Sequence, residues 1–340
     1  MSRRIVLPLV AVVCAAAQAP RIGAINAYGL HKLTADKLLK SVDLETGGAL
    51  PPSKGDLEEK LEAVPGVVSA RVEVACCEGA AAILFVGIEE RGGPHFDTRP
   101  APTGIAVLPE DLVNDYHAFL DVVERAASAG GAAEDYSSGE PRLSDPVARV
   151  FQDRFATFAA DHLELLREVL RNSAAADQRA VAASVIGYAP KKDQVLNDLQ
   201  YALQDVDEGV RGNAVRSLKA IAVLAQKRPE LRLKIAPTWL VEMLNSIVLS
   251  DRKQSAEALV ILTDQPHALA LDLMRERALP ALIEMARWKT LRYALPSFLL
   301  VGRIAGISDA DLQAQWQKSD RETAIQQATA PRKPTAPRKP

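Results

Sequence analysis

A motif recurs along the second half of this chain. Gln178-Arg179-x-x-Ala182-x-x-x-Ile186 matches Val210-Arg211-x-x-Ala214-x-x-x-Leu218, and Leu291-Arg292-x-x-Leu295-x-x-x-Leu299 is a looser copy. The apolar positions fall four residues apart, on one face of a helix. The small Ala at the matched place lets a neighbouring helix approach closely. Further apolar stripes fall at Leu163, Leu166 and Leu170, at Val195, Leu199 and Leu203, at Trp239, Met243 and Ile247, at Ala256, Leu259 and Leu262, and at Leu279, Leu282 and Met285. Helix pairs that repeat at a period of about 30 to 45 residues cannot bury their apolar faces singly, so they stack. Residues 161–310 are therefore expected to form an α-solenoid. Abundant Ala and an aromatic content of only 5% agree with packed helices rather than an all-β core.

The first part of the chain follows another rhythm. Ile22, Ile25, Ala27 and Gly29 read as a short strand entering a turn. Thr34 is a cap for a helix with Ala35, Leu38, Leu39 and Val42 on its inner stripe. Ser53, with Asp56 three residues on, opens a second helix carrying Leu57, Leu61 and Val64, which Pro65-Gly66 ends. Val68, Ala70, Val72 and Val74 then alternate with polar residues, and Ala82, Leu84, Val86 and Ile88 repeat the pattern after a Glu78-Gly79 turn. The predicted order is β-α-α-β-β. The whole chain is thus expected to be α+β.

Between the two lies a connector, residues 92–160. It has helices around Leu112–Val123 and Val147–Phe158, and a small, polar, flexible loop from Ala129 to Pro141. At the N-terminus, Arg3 and Arg4 precede the apolar run Ile5 to Val13, too short for a comfortable membrane span. Residues 1–19 therefore read as a signal peptide cleaved after Ala17 or Ala19, which places the mature chain in the periplasm; full secretion and an uncleaved membrane anchor are the alternatives. At the other end, Pro331-Arg332-Lys333-Pro334 is repeated as Pro337-Arg338-Lys339-Pro340, so residues 311–340 read as a helical end and a disordered basic Pro-rich tail. The formal charge of −2 becomes −4 without Arg3 and Arg4, and −8 without the four tail cations. An acidic body of this kind gives no reason to expect nucleic-acid binding.

The ordered set Ile22-x-x-Ile25-x-Ala27-x-Gly29, Gly48, Leu61-x-x-Val64-Pro65-Gly66-Val67, Ala70-x-Val72 and Glu90-Arg91 resembles a POTRA domain over residues 20–91. That module belongs to outer-membrane assembly and two-partner secretion proteins. The resemblance implies an extended client bound at the sheet edge as an added strand. This chain holds one copy and no barrel. Asp205-x-Asp207-x-x-Val210-Arg211-x-x-Ala214-x-x-x-Leu218 similarly resembles a HEAT repeat. That likeness implies that Asp205, Asp207 and Arg211 are a structural ladder between repeats rather than catalysts. Asp251-Arg252-Lys253 keeps only the charges of the motif.

No enzyme signature emerges: no GxSxG, HExxH, P-loop or GxGxxG after a strand. The five His are scattered, and Cys76-Cys77 cannot form the separated pairs of a zinc site. In the closest cluster, Asp161-His162-x-Glu164, Asp161 reads as a helix cap. No catalytic, cofactor or metal site is expected. The candidate partner-binding residues are Ile83 and Phe85, which lie on the supposedly wet face of the last strand, and Arg216, Lys219, Lys253 and Arg292, which fall on or beside the second helices. Ile83 and Phe85 form either an open peptide-binding patch or a face covered by later chain. The four cations either line a concave groove for acidic segments or are a solvated face. The reading is an exported scaffold or adaptor of the cell envelope, chaperone-like, with envelope-assembly proteins among its partners. The alternatives are a HEAT-repeat accessory factor of an enzyme, pigment-lyase-like and using a reactive Cys77, and a passive spacer.

Overall fold

The computed structural model describes residues 21–78 and 81–331, and the side chains of Cys76 to Glu78 are not among what it describes. The signal segment, the basic tail from Arg332 and the inward or outward facing of Cys76 and Cys77 lie outside the described residues. Within them the fold is α+β, with fifteen α-helices and a three-stranded sheet.

The N-terminal order is as expected: β1 Ile22–Tyr28, α1 Ala35–Ser41, α2 Lys54–Glu62, β2 Val67–Glu78 and β3 Ala81–Glu90. Thr34 and Ser53 cap the helices, accepting the N–H groups of Lys37 at 3.4 Å and Asp56 at 3.1 Å. The strand order is β1-β3-β2, with β3 central, parallel to β1 and antiparallel to β2. Leu84, Val86 and Ile88 pack with Leu38, Leu57, Leu61, Ala70 and Val72 into a small core under α1 and α2. The predicted inner face of β2 holds only for Ala70 and Val72. A register shift between Val67 and Ser69 turns Val67 in and leaves Val68 half exposed. Val74 is also half exposed.

The opposite face of β3 is buried as well. Ile83 and Phe85 have no exposed surface. Phe85 meets Trp288 and Tyr293 edge-on, each with ring centroids 5.1 Å away. A strand covered on both faces reads as a continuous apolar run rather than an alternation, and Ala82 to Ile88 is such a run. Gly87 makes the close approach possible. A Cβ there would lie 2.2 Å from the Ile247 carbonyl oxygen.

The helices that cover this face come late in the chain. After the sheet come α3 Glu110–Ser128, the tiny hairpin β4 Glu134–Asp135 and β5 Arg142–Leu143, and α4 Pro146–Asp161. Then follow α5 Leu163–Asn172, α6 Ala176–Ile186, α7 Lys192–Ala202, α8 Glu208–Lys227, α9 Thr238–Glu242, α10 Leu249–Leu262, α11 Ala268–Arg277, α12 Leu279–Ala286, α13 Leu291–Ala305, α14 Asp309–Gln317 and α15 Glu322–Thr329. The helices α6, α8, α10, α13 and α15 pack in succession, while α5 packs on α7 and α9 on α11. The stripe Trp239, Met243, Ile247 is not one helix. α9 passes into a 3-10 turn at Met243–Asn245, and Ile247 lies beyond it.

The segment 92–160 is not a spacer. Tyr116 and Phe119 of α3 and Phe155 of α4 are buried in the same core as α6 and α8. The stretch expected to be a flexible loop holds β4 and the turn that leads to β5, and this hairpin packs beside α8. Residues 92–108 form an extended strap across the turns that precede α8 and α6. Arg99 N–H donates to the Gln204 carbonyl at 2.8 Å. Gly104 N–H donates to Asn172 and its carbonyl accepts from Ala174 N–H, both at 2.8 Å. The N–H of Leu108 donates to Gln178 Oε1 at 2.7 Å.

Glu90 closes the small module. Its carboxylate accepts the N–H groups of His31, Lys32 and Leu33 at 2.7 to 3.1 Å and is only 4% exposed. Burial alone would raise its pKa, but the three backbone donors hold it below the ordinary 4.5. A carboxyl held low stabilises the fold above its unfolded pKa and loses that contribution as pH falls through its folded value. Replacing Glu90 with Ala is expected to cost about 1–3 kcal/mol at pH 7, where three part-buried backbone donors lose their acceptor. Urea denaturation at pH 7 and pH 3 checks this: the gap between wild type and variant should be full at pH 7 and shrink below about pH 4.5.

Candidate interaction surfaces

The repeated Arg residues are the organising charges. Arg179 at the start of α6 donates to both oxygens of Asp205 at 2.7 and 2.8 Å, and its third nitrogen reaches the Ser173 and Ala174 carbonyls. Arg211 at the start of α8 repeats this one step on. It holds Asp251 at 2.7 Å and the Asp205 and Val206 carbonyls at 2.8 and 3.0 Å. Arg252 bonds the Ser246 carbonyl at 2.5 Å and Glu284 at 3.3 Å. Each guanidinium thus clamps the turn before its own helix and reaches the carboxylate of the next pair. Asp205 pairs with Arg179, and Arg211 with Asp251. Asp207 is not a rung: it caps α8, accepting Val210 N–H at 3.0 Å. Asp251 and Arg252, which the sequence pattern reduces to bare charges, occupy full rung positions.

The last rung joins the sheet to the helices. Glu284 also accepts the N–H groups of Gly29 at 3.0 Å and Leu30 at 3.2 Å. Gly29 adopts φ +79°, and a Cβ there would sit 2.1 Å from the Ile88 carbonyl oxygen. The Tyr28 hydroxyl donates to the Ile247 carbonyl at 2.8 Å, and Arg252 lies 4.6 Å over the Tyr28 ring. Burial pushes the Tyr28 hydroxyl far above its ordinary pKa, so it stays a donor. Glu73 of β2 accepts Leu249 N–H at 2.9 Å, and Arg71 pairs with Glu208 at 2.9 Å.

These contacts settle where the predicted partner-binding residues lie. Ile83 and Phe85 are not an open patch, because α12, α13 and the turn between them cover them. On the outer edge of β2, the N–H groups of Ala70 and Val72 already donate to Glu62 at 3.0 Å and Glu58 at 2.7 Å of α2. Carboxylates that occupy edge donors blunt strand addition there. Arg216 pairs with Glu134 of the β4–β5 hairpin, and Lys219 and Lys253 share Glu257 at 3.0 and 3.3 Å. The acidic segment that meets Arg216 is therefore the chain's own. Arg292 is exposed and lies 4.9 Å over the Tyr293 ring. Asp161 ends α4 rather than capping α5, since the break falls at His162. Among the described residues no group of three His, Cys, Asp or Glu side chains can hold a metal ion.

A different surface gathers chemistry that the sequence does not advertise. Arg99 of the strap and Arg171 of α5 both lie over the ring of Tyr201 on α7, at 3.2 and 4.3 Å from its centroid. They line a depression of about 440 Å³ that Trp239 of α9 also borders. Arg171 shares Asp198 with Arg167, at 2.6 and 2.9 Å, so one carboxylate serves two guanidinium groups. Burial pulls the Arg99 pKa down, Tyr201 and Asp205 oppose that, and the neighbouring Arg171 adds to it. A second depression of about 910 Å³ adjoins the first, with Gln200 and Ala236 lining both. Its walls are mostly apolar, including Ala222, Leu233, Ile235, Leu262 and the exposed Leu269. Arg99 escapes sequence reasoning because Tyr201 lies 102 residues away. The sequence matches no known protein family, and no curated protein matches it.

The ladder gives a sharp test. Arg211→Met leaves Asp251 buried without its cation, at a cost of about 3–5 kcal/mol. Burial already raises the Asp251 carboxyl against the pull of Arg211. The double replacement Arg211→Met with Asp251→Leu removes both charges and should recover most of the loss, as read by urea denaturation midpoints.

Proposed function

We propose that this chain is an exported, non-enzymatic protein-interaction scaffold of the cell envelope, built from a POTRA-like module docked on a HEAT-type solenoid. The observation that carries the reading is the run of buried Arg–carboxylate rungs Arg179–Asp205, Arg211–Asp251 and Arg252–Glu284. Rungs that recur at the same place in successive helix pairs are what a stacked repeat array needs, and such arrays present extended surfaces to partners. The module 20–91 joins this array through Glu284 and Phe85 instead of offering its own sheet face. The helical array is therefore the binding platform, and the module is its rigid end. The partners are proteins or extended peptides, with outer-membrane and envelope-assembly proteins as the class that the POTRA resemblance implies. Periplasmic residence follows from the signal-like residues 1–19.

Two measurements test this. The full chain with a C-terminal tag, produced in a bacterium with an outer membrane, should be released by osmotic shock with Gln18 or Pro20 as its first residue. Retention in the cytoplasm with Met1 intact would remove export from the reading. In-cell cross-linking should then yield discrete adducts with envelope proteins. A chain that cross-links to nothing but itself would overturn the scaffold.

A further inference from the structure

The two adjoining depressions differ in character in a way that specifies a ligand. One end is cationic: Arg99 and Arg171 converge on one face-stacking platform, Tyr201, and the local carboxylates are already in use. Asp198 is divided between Arg167 and Arg171. Asp205, the carboxylate that acts on Arg99, is bonded through both oxygens to Arg179. Arg171 bonds Asp198 through two of its nitrogens and Arg99 bonds the Tyr201 carbonyl through one, which leaves Nε and Nη1 of Arg99 and Nη1 of Arg171 as donors for a carboxylate, held on an aromatic ring with little side-chain freedom left to lose. The other end is apolar and wide. Between and around them stand side-chain amides, Asn197, Gln200 and Gln204 at the cationic end and Gln226 and Gln265 at the apolar end. An amide side chain offers both a donor and an acceptor, the pair that an extended peptide backbone presents. Gln200 already uses its oxygen in this manner, accepting the backbone N–H of Ala236 at 2.7 Å between the two depressions.

We infer that this surface binds an extended peptide whose carboxylate seats between Arg99 and Arg171 while adjacent apolar side chains lie against Leu233, Ile235 and Leu269. The inference rests on the scaffold reading and names the chemistry of its partner. Asn197 and Gln204 line the cationic end as well, so the backbone runs on past it and the carboxylate is that of an internal Asp or Glu side chain. Gln200 and the Gln226 nitrogen are bonded within the chain, and the amides of Asn197, Gln204 and Gln265 favour a peptide over an acyl chain, which gains nothing from them.

The probes are fluorescein-labelled ten-residue peptides with Leu, Ile and Val at alternate positions. One carries an internal Glu and an amidated end, a second has Gln in place of Glu with a free C-terminal carboxylate, and a third has Gln with an amidated end. Fluorescence anisotropy is read on the full chain. The first peptide should bind at least about tenfold tighter than the third; a preference for the second alone would overturn the assignment to a side-chain carboxylate. Raising the salt should narrow the difference. Arg99→Gln should abolish the preference for a carboxylate. Leu269→Asp should weaken every peptide about tenfold; its side chain is 58% exposed, so the fold should stand. Equal binding of all three peptides, binding unmoved by either variant, or displacement of the peptide by dodecanoate at micromolar concentration would overturn the proposal. In-cell adducts that persist in the Arg99→Gln and Leu269→Asp chains would refute this site and leave the scaffold standing. A wild-type chain without any adducts would refute the scaffold itself.

Discussion

Buried guanidinium–carboxylate pairs are what the helical part of this protein is arranged around. Arg179, Arg211 and Arg252 are all at most 3% exposed. Taking such charges out of water costs several kcal/mol per ion, and mutual attraction offsets this only when every donor finds an acceptor. Here the donors do. Each Arg uses one nitrogen on the carbonyls of the preceding turn and, at the first two rungs, the other nitrogens bidentately on a carboxylate. The rungs therefore contribute less to net stability than to register. A helix pair that slipped by one turn would leave a charge buried and unpaired, a far larger penalty than any loss of apolar contact.

The small sheet depends on the same register. Glu284 serves Arg252 on one side and the Gly29 and Leu30 N–H groups on the other, so the turn after β1 is seated on the last rung. The bonds that fix the sheet span 219 residues from Tyr28 to Ile247 and 255 from Gly29 to Glu284. A module recognisable by its own strand and helix order is thus not an energetic unit. Its apolar face, with Ile83 and Phe85, has no cover until α12 and α13 are in place. Long-range closure of this kind is slow relative to local helix pairing. The strap from Arg99 to Leu108 shortens the problem, because it guides the chain back along the turns before α8 and α6.

Much of this was legible in local patterns. Thr34 and Ser53 announce their helices because capping is a matter of three or four residues. The element order β-α-α-β-β and the Ala-containing motif follow from spacing, whereas the ladder role expected of Asp205 and Arg211 comes from the resemblance to a HEAT repeat. What spacing cannot supply is partnership across the fold. Asp205 lies 26 residues from Arg179, while Asp251 lies 40 from Arg211, so the unequal repeats hide the pairing. Ile83 and Phe85 look like a misplaced apolar face until Trp288 is seen to cover them. Arg216 looks available until Glu134 is found beside it. Arg99 sits in a Pro-rich stretch with no helix of its own, and only the strap brings it to Tyr201.

The same reasoning says where recognition remains available. The donors of β2 at Ala70 and Val72 are taken by α2, the second sheet face is taken by α12 and α13, and Arg216, Lys219 and Lys253 are neutralised by Glu134 and Glu257. Each surface that composition marks as inviting has been closed from within. The surface around Tyr201 differs in kind: cations outnumber the carboxylates that serve them, and an apolar wall stays open next to them. Leu269 stays exposed, and although Arg171 ties α5 to α7 through Asp198 and Arg99 bonds the Tyr201 carbonyl, both guanidinium groups lie on one ring. Their adjacency has a physical cost in repulsion between Arg99 and Arg171 that an anionic ligand would relieve. Binding energy would then come from removing that repulsion as well as from new contacts, so discrimination against an uncharged ligand would be largest where the two guanidinium groups are least solvated.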